Sequence, residues 1–341
     1  MFALDICGSF GLPGLSFRRG SESYNLLKWR YMMLKNKFVL FCVFTLVSCF
    51  SLMNNSYAEK RLKVVTSLEF LADWVAQIGR DQVDVDFVHD SRIDVHYFQP
   101  RPAHVLLCTR TDVFVLAGLD LDVWMQSLLD ASRNKKIQYG ASGYVDASFG
   151  ITHILQKPMG RVDMAMGDVH PFGNPHYFHN MENVGVALQN IVIALAKNDP
   201  DNADFYRKSK EEYWQKIQST FATLKELVKP YQGTKVVTYH QSWEYFAEEF
   251  GLEIVGYVEP KPGLPPSPKH LKELIEIINQ QKVRIVIKEP YYPKRPVKKL
   301  SKKTGVKVLE LVNFPGGRRK ARTYLENLEA NVHELIQLVD S

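Results

Sequence analysis

Three histidines of this chain stand in predicted loops or at the ends of predicted strands. His96 lies in Asp-Val-His-Tyr-Phe-Gln-Pro, His176 in Gly-Asn-Pro-His, and His240 at the end of Val-Val-Thr-Tyr-His. In open α/β sheets, ligands bind beyond the carboxyl ends of the strands. Imidazole is the commonest side-chain ligand for zinc, and three imidazoles from different segments form a tetrahedral site with one position left. A single histidine is more often a turn or core residue, but the combined placement predicts a metal site.

The elements that would position these histidines alternate between strands and helices. In the first half, strands are predicted over 62–66, 83–88, 113–116 and 137–139, and helices over 68–78 and 121–132. In the second half, strands are predicted over 235–238, 252–257 and 283–288, and helices over 243–250 and 268–280. This order predicts an α/β protein with two similar lobes, each an open, mostly parallel sheet flanked by helices.

A long helical pattern over 202–228 separates the two halves. At 1.5 Å per residue it would span roughly 40 Å, which is enough to join two lobes as one rigid helix. Its apolar period lasts too few heptads for a coiled coil. We therefore predict an N-terminal metal-binding lobe over 59–200, a linking helix over 201–231 and a C-terminal metal-binding lobe over 232–341.

Residues 1–58 are predicted to be an upstream extension followed by a secretory signal peptide. Two lysines precede the apolar run 38–52, and Ser-Tyr-Ala ends at Ala58, where we expect cleavage. The run is shorter than the roughly 20 residues of a membrane span. Leu-Val-Ser-Cys49 resembles a bacterial lipobox, so a lipid anchor on Cys49 is the alternative to a free periplasmic protein. Met32 or Met33 stands where the signal peptide should begin.

Composition excludes several other classes. The formal charge of +6 is spread along the chain, and its densest basic run, 294–303, is interpreted as a solvated face. Nucleic-acid binding is not expected, because no basic segment is interleaved with stacking aromatics. Cys108 is the only cysteine after the predicted signal peptide, which rules out a two-cysteine metal site there. It stands in an apolar run and is expected to be a core residue.

Several motifs together resemble a known family. The segments 94–100, 174–176 and 239–246 resemble the three histidine motifs of the solute-binding proteins of zinc and manganese ABC importers. The segments 259–263 and 288–290 match two signatures of that fold's second lobe, and the resemblance runs from 62 to 339. Within this family, the chain resembles the zinc-uptake type. The resemblance implies a monomeric binding protein, not an enzyme, that delivers a divalent metal to an ABC permease and its cytoplasmic ATPase.

The fourth ligand departs from the family pattern. The family takes a carboxylate from a late loop, and the matching position here is Asn313. An amide oxygen is a poorer zinc ligand than a carboxylate, so the fourth position can be water, Asn313 or a group from elsewhere. Three imidazoles with at most one weak oxygen favour Zn²⁺ over Mn²⁺, which prefers harder carboxylate oxygens. Copper would bind at least as well by affinity alone.

Four further residues could assist the site. His170 and His179, with nearby methionines 164 and 166, could form an auxiliary loop that collects metal, although a solvent-exposed loop with incidental histidines is the simpler interpretation. Glu259 and Glu289 could orient a ligating ring or contact the permease. Histidines 89, 104, 153, 270 and 333 match no ligand motif and are expected at the surface or in helix caps.

Two other functions are compatible with some of these features. A zinc hydrolase would also use three histidines and an open position, but it would need a general base beside the metal, and no His-Glu-x-x-His pattern is present. A metal-binding surface adhesin would gain support from lipidation at Cys49. The stiff helix between the lobes predicts small lobe motions when metal binds.

Overall fold

The structure is a computed structural model that describes residues 28–36, 61–155, 170–318 and 320–341. Residues 28–36 form a helix, and residues 61–341 form one compact unit. Cleavage after Ala58, the alternative anchor at Cys49 and methionines 164 and 166 all lie outside the described residues. Within the described part of the chain, no helix is both long and apolar enough to span a bilayer.

The first half of the unit is built on a sheet of four parallel strands in the order β2-β1-β3-β4. The strands are β1 (Leu62–Thr66), β2 (Val83–Phe87), β3 (Val113–Leu116) and β4 (Tyr144–Asp146). The helices around them are α1 (Glu69–Gly79), α2 (Pro102–Thr109) and α3 (Met125–Ser132). All four residues of β3 are buried, as expected of a central strand covered on both faces.

The second half repeats this topology. Its four parallel strands follow the order β6-β5-β7-β8, which corresponds position by position to the first sheet. The strands are β5 (Lys235–Thr238), β6 (Glu253–Tyr257), β7 (Ile285–Lys288) and β8 (Lys307–Glu310). The helices are α6 (Glu244–Phe250), α7 (Pro268–Gln281), α8 (Lys294–Thr304) and α9 (Tyr324–Asp340). The prediction of two similar parallel α/β lobes is confirmed.

Helices α4 (Met181–Asn198) and α5 (Ala203–Val228) connect the two sheets. Helix α5 has 26 residues, which gives a length of about 39 Å. It packs against α1 and α4 from the first half and against α6 and α9 from the second. Its buried residues recur every three or four positions and form one stripe: Tyr206, Ser209, Tyr213, Ile217, Phe221, Leu224 and Val228. The predicted long linking helix is therefore confirmed.

One predicted strand is wrong. Residues Lys135–Ile137 form a 3-10 helix where a strand over 137–139 was expected, and the fourth strand begins at Tyr144. The cause is Asn134, whose side chain accepts a hydrogen bond from Lys136 N at 3.1 Å and donates to the Cys108 and Thr111 carbonyls. Such side-chain bonds to the backbone compete with strand pairing. Helices α2, α4, α8 and α9 have no counterpart among the predicted ranges.

Cys108 lies in α2 and is fully buried, which confirms its predicted place in the core. Burial raises the pKa of its thiol to about 12. The thiol therefore stays protonated at neutral pH and behaves as a small apolar side chain. The basic run 294–303 forms most of α8, whose lysines are exposed while Val297 and Leu300 face the core.

Candidate metal site

Three histidines from different segments converge between the two sheets. His96 lies on a 3-10 turn that follows β2, His176 directly precedes a second 3-10 turn, and His240 follows β5. Each offers one ring nitrogen, and these three nitrogens lie within 4.8 Å of one another. The ring centres are 5.3 Å apart for His96 and His240, 5.7 Å for His176 and His240, and 5.8 Å for His96 and His176.

His96 is held by its own turn. The Asp94 side chain accepts a hydrogen bond from His96 N at 3.1 Å, which caps the turn and fixes the backbone. The Nε2 atom of His96 is buried and has no hydrogen-bond partner. A buried polar atom without a partner costs free energy. This nitrogen is therefore suited to accept a metal ion.

Asn174 fixes His176. Its Oδ1 accepts from His176 N at 2.9 Å and also lies 2.9 Å from His176 Nδ1. With Nδ1 directed at an oxygen, Nε2 is the nitrogen available to a metal. The Asn174 amide nitrogen donates to Gln241 O at 2.8 Å and Glu244 Oε2 at 3.1 Å, next to His240. Asn174 thus connects the segments of two histidines, a role that its sequence motif did not reveal.

Glu259 fixes His240. Its Oε2 lies 3.0 Å from His240 Nδ1 and also accepts a hydrogen bond from Gly263 N at 3.2 Å. A carboxylate behind a ligating ring orients the ring and raises its basicity. Nε2 of His240 is then left for the metal. This contact is the one expected if Glu259 orients a ligating ring.

The three rings differ in how strongly they hold a proton. Burial, followed by the neighbouring imidazoles, holds the pKa of His96 and His176 well below the usual value. Burial also acts to lower the pKa of His240, but the hydrogen bond to Glu259 and the charges of Glu289, Glu259 and Asp94 together outweigh it, so this pKa is raised. His96 and His176 are therefore neutral and ready to bind, whereas protons compete with a metal for His240 up to a higher pH than for an ordinary imidazole.

Asn313 belongs to a buried polar network beside the three histidines. Its amide nitrogen donates to Glu289 Oε1 at 3.1 Å and Tyr291 OH at 3.4 Å, and its Oδ1 lies 3.1 Å from His179 Nε2. Both ends of the amide are thus engaged within the protein. The expectation that Asn313 supplies the fourth ligand stays a prediction.

Glu289 lies at the centre of this network. It accepts hydrogen bonds from Ser242 Oγ and from Trp243 Nε1, the latter at 3.0 Å. Burial raises the pKa of Glu289 to about 7. The carboxyl group bonds to Asn313 and fixes the Ser-Trp segment that follows His240, so in this structure it holds the neighbours of His240 rather than the His240 ring.

His170 and His179 do not share a loop environment. His179 is buried on the turn after His176, with its ring 5.1 Å from that of Trp243. Burial lowers the pKa of His179 to about 4, despite the Asn313 contact. The buried ring does not fit the simpler interpretation of a solvent-exposed loop, and a part for His179 in collecting metal stays a prediction. His170 is half-buried, and its ring centre lies 5.1 Å from that of His96.

Two histidines outside the site, His104 and His89, differ in how well the structure matches their expected positions. His104 caps α2 as expected, with Nδ1 accepting from Arg101 N at 3.0 Å. His89 is buried rather than exposed, which corrects the expected surface position. Its Nδ1 lies 3.1 Å from Glu69 Oε2 and its Nε2 lies 2.9 Å from Ile93 O, so each ring nitrogen has an oxygen within hydrogen-bond distance.

Two α/β lobes of equal topology, a long helix between them and three converging imidazoles define a substrate-binding protein for a metal ion. Comparison with known families agrees. The model of the family ZnuA, the periplasmic component A of zinc-uptake complexes, matches residues 64–338, and the chain belongs to this family. It is therefore a periplasmic metal-binding component of ABC transport, and its relatives are substrate-binding proteins rather than enzymes.

The relatives differ in the metal that they are named for. The iron-binding protein YfeA of Yersinia pestis is 25% identical over 306 residues, which cover 86% of this chain and 92% of YfeA. The manganese-binding lipoprotein PsaA of Streptococcus mitis is 26% identical over 278 residues, covering 80% of this chain and 86% of PsaA. One is named for iron and the other for manganese, so sequence similarity alone does not fix the ion that this chain binds.

Solved structures share the fold. A crystal structure of ZnuA has a TM-score of 0.68 at 21% identity and covers 82% of this chain and 99% of its own. The binding protein FpvC of Pseudomonas aeruginosa, solved with Ni²⁺, has a TM-score of 0.68 at 24% identity, with coverage of 82% and 97%. Family members work with an ABC permease and an ATPase in metal import.

Proposed function

We propose that the protein captures Zn²⁺ with high affinity outside the inner membrane and delivers it to an ABC permease and its cytoplasmic ATPase. The observation that carries this proposal is the convergence of ring nitrogens from His96, His176 and His240 within 4.8 Å. Imidazole nitrogens suit zinc, whereas manganese prefers carboxylate oxygens and a higher coordination number. A manganese-binding protein with the same fold is the second candidate, favoured by the relatives that carry that name.

The contacts around the three rings support the same assignment. Asn174 and Glu259 each hold the Nδ1 atom of one histidine, which directs Nε2 toward a common centre. In His96 the buried Nε2 has no hydrogen-bond partner. The Nδ1 atoms of His176 and His240 contact oxygens, which leaves their Nε2 atoms, together with Nε2 of His96, to bind an ion. The roles of these residues in metal binding are part of the proposal.

The proposal also covers export and assembly. We infer cleavage after Ala58 and a free monomer in the periplasm, with lipidation of Cys49 as the alternative. Mass spectrometry of the mature protein from cells separates the two, because only the second leaves a diacylglyceryl group on an N-terminal cysteine. Size-exclusion chromatography with light scattering tests the monomer. We also propose that the chain divides into an N-terminal lobe over 59–200, a linking helix over 201–231 and a C-terminal lobe over 232–341.

Calorimetric titration of the metal-free protein with zinc and manganese tests the function. We expect tight one-to-one zinc binding, weaker manganese binding, and a loss of zinc affinity in His96→Ala, His176→Ala and His240→Ala. His153→Ala is a matched control, because this half-exposed histidine pairs with Glu248 and does not belong to the three-histidine group. A zinc affinity that is unchanged in all three variants would overturn both the site and the function.

A further inference from the structure

A fourth imidazole lies beside the three-histidine group. The ring centre of His170 is 5.1 Å from that of His96, which is nearer than either His176 or His240 comes to His96. His170 is tied to the segment of His176 by a short turn in which Gly173 N donates to His170 O at 3.1 Å. Asn174 N then donates to Leu155 O at 2.8 Å, which anchors this turn.

The spacing of the rings matches that of imidazoles around one ion. With Zn–N bonds of about 2 Å, each ring centre lies roughly 3 Å from the ion, and tetrahedral angles place the ring centres about 5 Å apart. The measured distances are 5.3, 5.7 and 5.8 Å within the three-histidine group and 5.1 Å from His96 to His170. His170 therefore already lies at the ring spacing that a fourth nitrogen ligand requires relative to His96.

The electrostatic neighbourhood agrees with this placement. After burial and the charge of His240, the charge of His170 is among the causes that lower the pKa of His96, and it also acts on His176. His170 is thus close enough to interact with two of the three rings. It is not among the residues whose donor atoms lie within 4.8 Å of one another, so ligation requires its side chain to move inward.

The competing oxygen donor is held by other groups. Asn313 Oδ1 lies 3.1 Å from His179 Nε2, and its amide nitrogen donates to Glu289 at 3.1 Å. To bind a metal, the Asn313 oxygen would have to give up or share the contact with buried His179. Removing the partner of a buried polar group costs free energy, so this contact opposes ligation by Asn313.

We propose that His170 is the fourth ligand, so that the loaded site holds the ion with four imidazole nitrogens and no oxygen donor. This inference rests on the proposed function, because it concerns the same ion. A set of four nitrogens closes the tetrahedral site against water, as in structural zinc sites. It also disfavours manganese, which prefers oxygen ligands.

X-ray absorption at the zinc edge tests the ligand count. We expect four imidazoles in the zinc-loaded protein, and three imidazoles with one oxygen in His170→Gln. We also expect zinc affinity, measured by competition with a chelator, to fall about tenfold or more in His170→Gln, since outer groups alone contribute 10–100-fold. His153→Gln is the matched control, with ligand count and affinity unchanged.

The outcomes separate this inference from the proposed function. Three imidazoles in the unsubstituted protein, or an affinity unchanged in His170→Gln, overturn the role of His170 while zinc binding through the other three stands. Zinc binding that survives all three alanine substitutions in the group overturns the site itself. The spectrum of the unsubstituted protein decides the ligand count even if His170→Gln folds poorly.

Discussion

Asn174 holds one of the proposed ligands, His176, and contacts the segment of another, His240. Its Oδ1 fixes His176 Nδ1, and its amide nitrogen bonds to Gln241 O beside His240. Because this single side chain sets the orientation of one ring relative to the other segment, its loss should loosen the site without removing a metal ligand. Positioning of this kind makes metal affinity sensitive to residues that never touch the ion.

We expect Asn174→Ala to lower zinc affinity about 10–100-fold, the range observed for groups that orient metal ligands. The measurement is competition with a chelator of known affinity. Asn198→Ala is the control, because Asn198 donates to Ser142 O at 2.9 Å just before β4, at the amino ends of the strands, and should leave affinity unchanged. An Asn174→Ala protein with undiminished affinity would show that His176 is oriented by other contacts.

We expect His240 and Glu259 to make zinc binding depend on pH. The raised pKa of His240 reflects Glu259, Glu289 and Asp94, which together outweigh burial. In the metal-free protein the charged pair stabilises the fold below the pKa of an unfolded histidine, about 6.5, and this contribution is lost as pH rises through the raised folded value. Zinc needs the neutral ring, so it displaces this proton, and acidification favours release.

We expect Glu259→Gln to lower the pKa of His240 and to reduce the protons released when zinc binds near pH 7. Zinc titrations in two buffers with different ionisation enthalpies measure the proton release, and NMR titration of the metal-free protein measures the pKa. Glu253→Gln is the control, because Glu253 is exposed on β6. Equal proton release from both variants would contradict the assignment of the proton to His240.

At the scale of elements, α5 joins the two sheets by burying one stripe of its surface. Phe221 lies on this stripe and is fully buried, with its ring stacked on that of Phe250 in α6 at 6.1 Å between centres. The other faces of α5 carry charged and polar residues, which explains why its pattern was recognisable as a helix. Packing on this stripe, rather than helix propensity, supplies most of the stability of α5.

We expect Phe221→Ala to lower the free energy of unfolding by about 3–5 kcal/mol, because it removes a large buried ring and leaves a cavity. Denaturant unfolding of the metal-free protein measures the change. Gln218→Ala, on the exposed side of the same helix, should change stability by less than about 0.5 kcal/mol. A similar small effect for both substitutions would mean that α5 is not fixed by this stripe.

At the scale of the whole unit, both lobes share one hydrophobic core. A single buried cluster includes Val64 and Val115 from the first sheet, Phe221 from α5, and Ile285 and Leu309 from the second sheet. A core that runs through both lobes resists hinge opening between them. It also couples the metal site to the stability of the entire unit.

We expect one cooperative unfolding transition whose midpoint rises with zinc. At a free zinc concentration 1,000 times Kd, binding adds about 4 kcal/mol to the free energy of unfolding. Differential scanning calorimetry measures this shift, which His240→Ala should largely abolish. Two separated transitions, or a shift in only one of them, would show that the lobes unfold independently.

We also expect little change in the arrangement of the lobes when zinc binds. The shared core and the α5 stripe predict a radius of gyration that is the same with and without zinc in small-angle X-ray scattering. His96→Ala provides a protein that should stay in the metal-free state at the same zinc concentration. A decrease in the radius of gyration with zinc, absent in His96→Ala, would instead indicate hinge closure.

The sequence by itself predicted most of the element order and selected the three histidines that converge in the structure. Strand and helix periodicities are local, so six of the eight strands could be placed from alternation and β-branched runs. Strand β8 had no such prediction, β4 was misplaced because a single side-chain cap at Asn134 prevailed, and helices α2, α4, α8 and α9 were not among the predicted ranges. The histidines at 96, 176 and 240 could be selected because strand ends meet at one edge of a parallel sheet.

Tertiary structure alone decided the contacts that tune the site. Glu259 meets His240 across 19 positions, Asn174 meets Gln241 across 67, and His179 meets Asn313 across 134. The proximity of His170 to His96 is of the same kind. Local periodicity carries no information about such pairs, because their distances are set by how the two sheets pack on α5 and on each other.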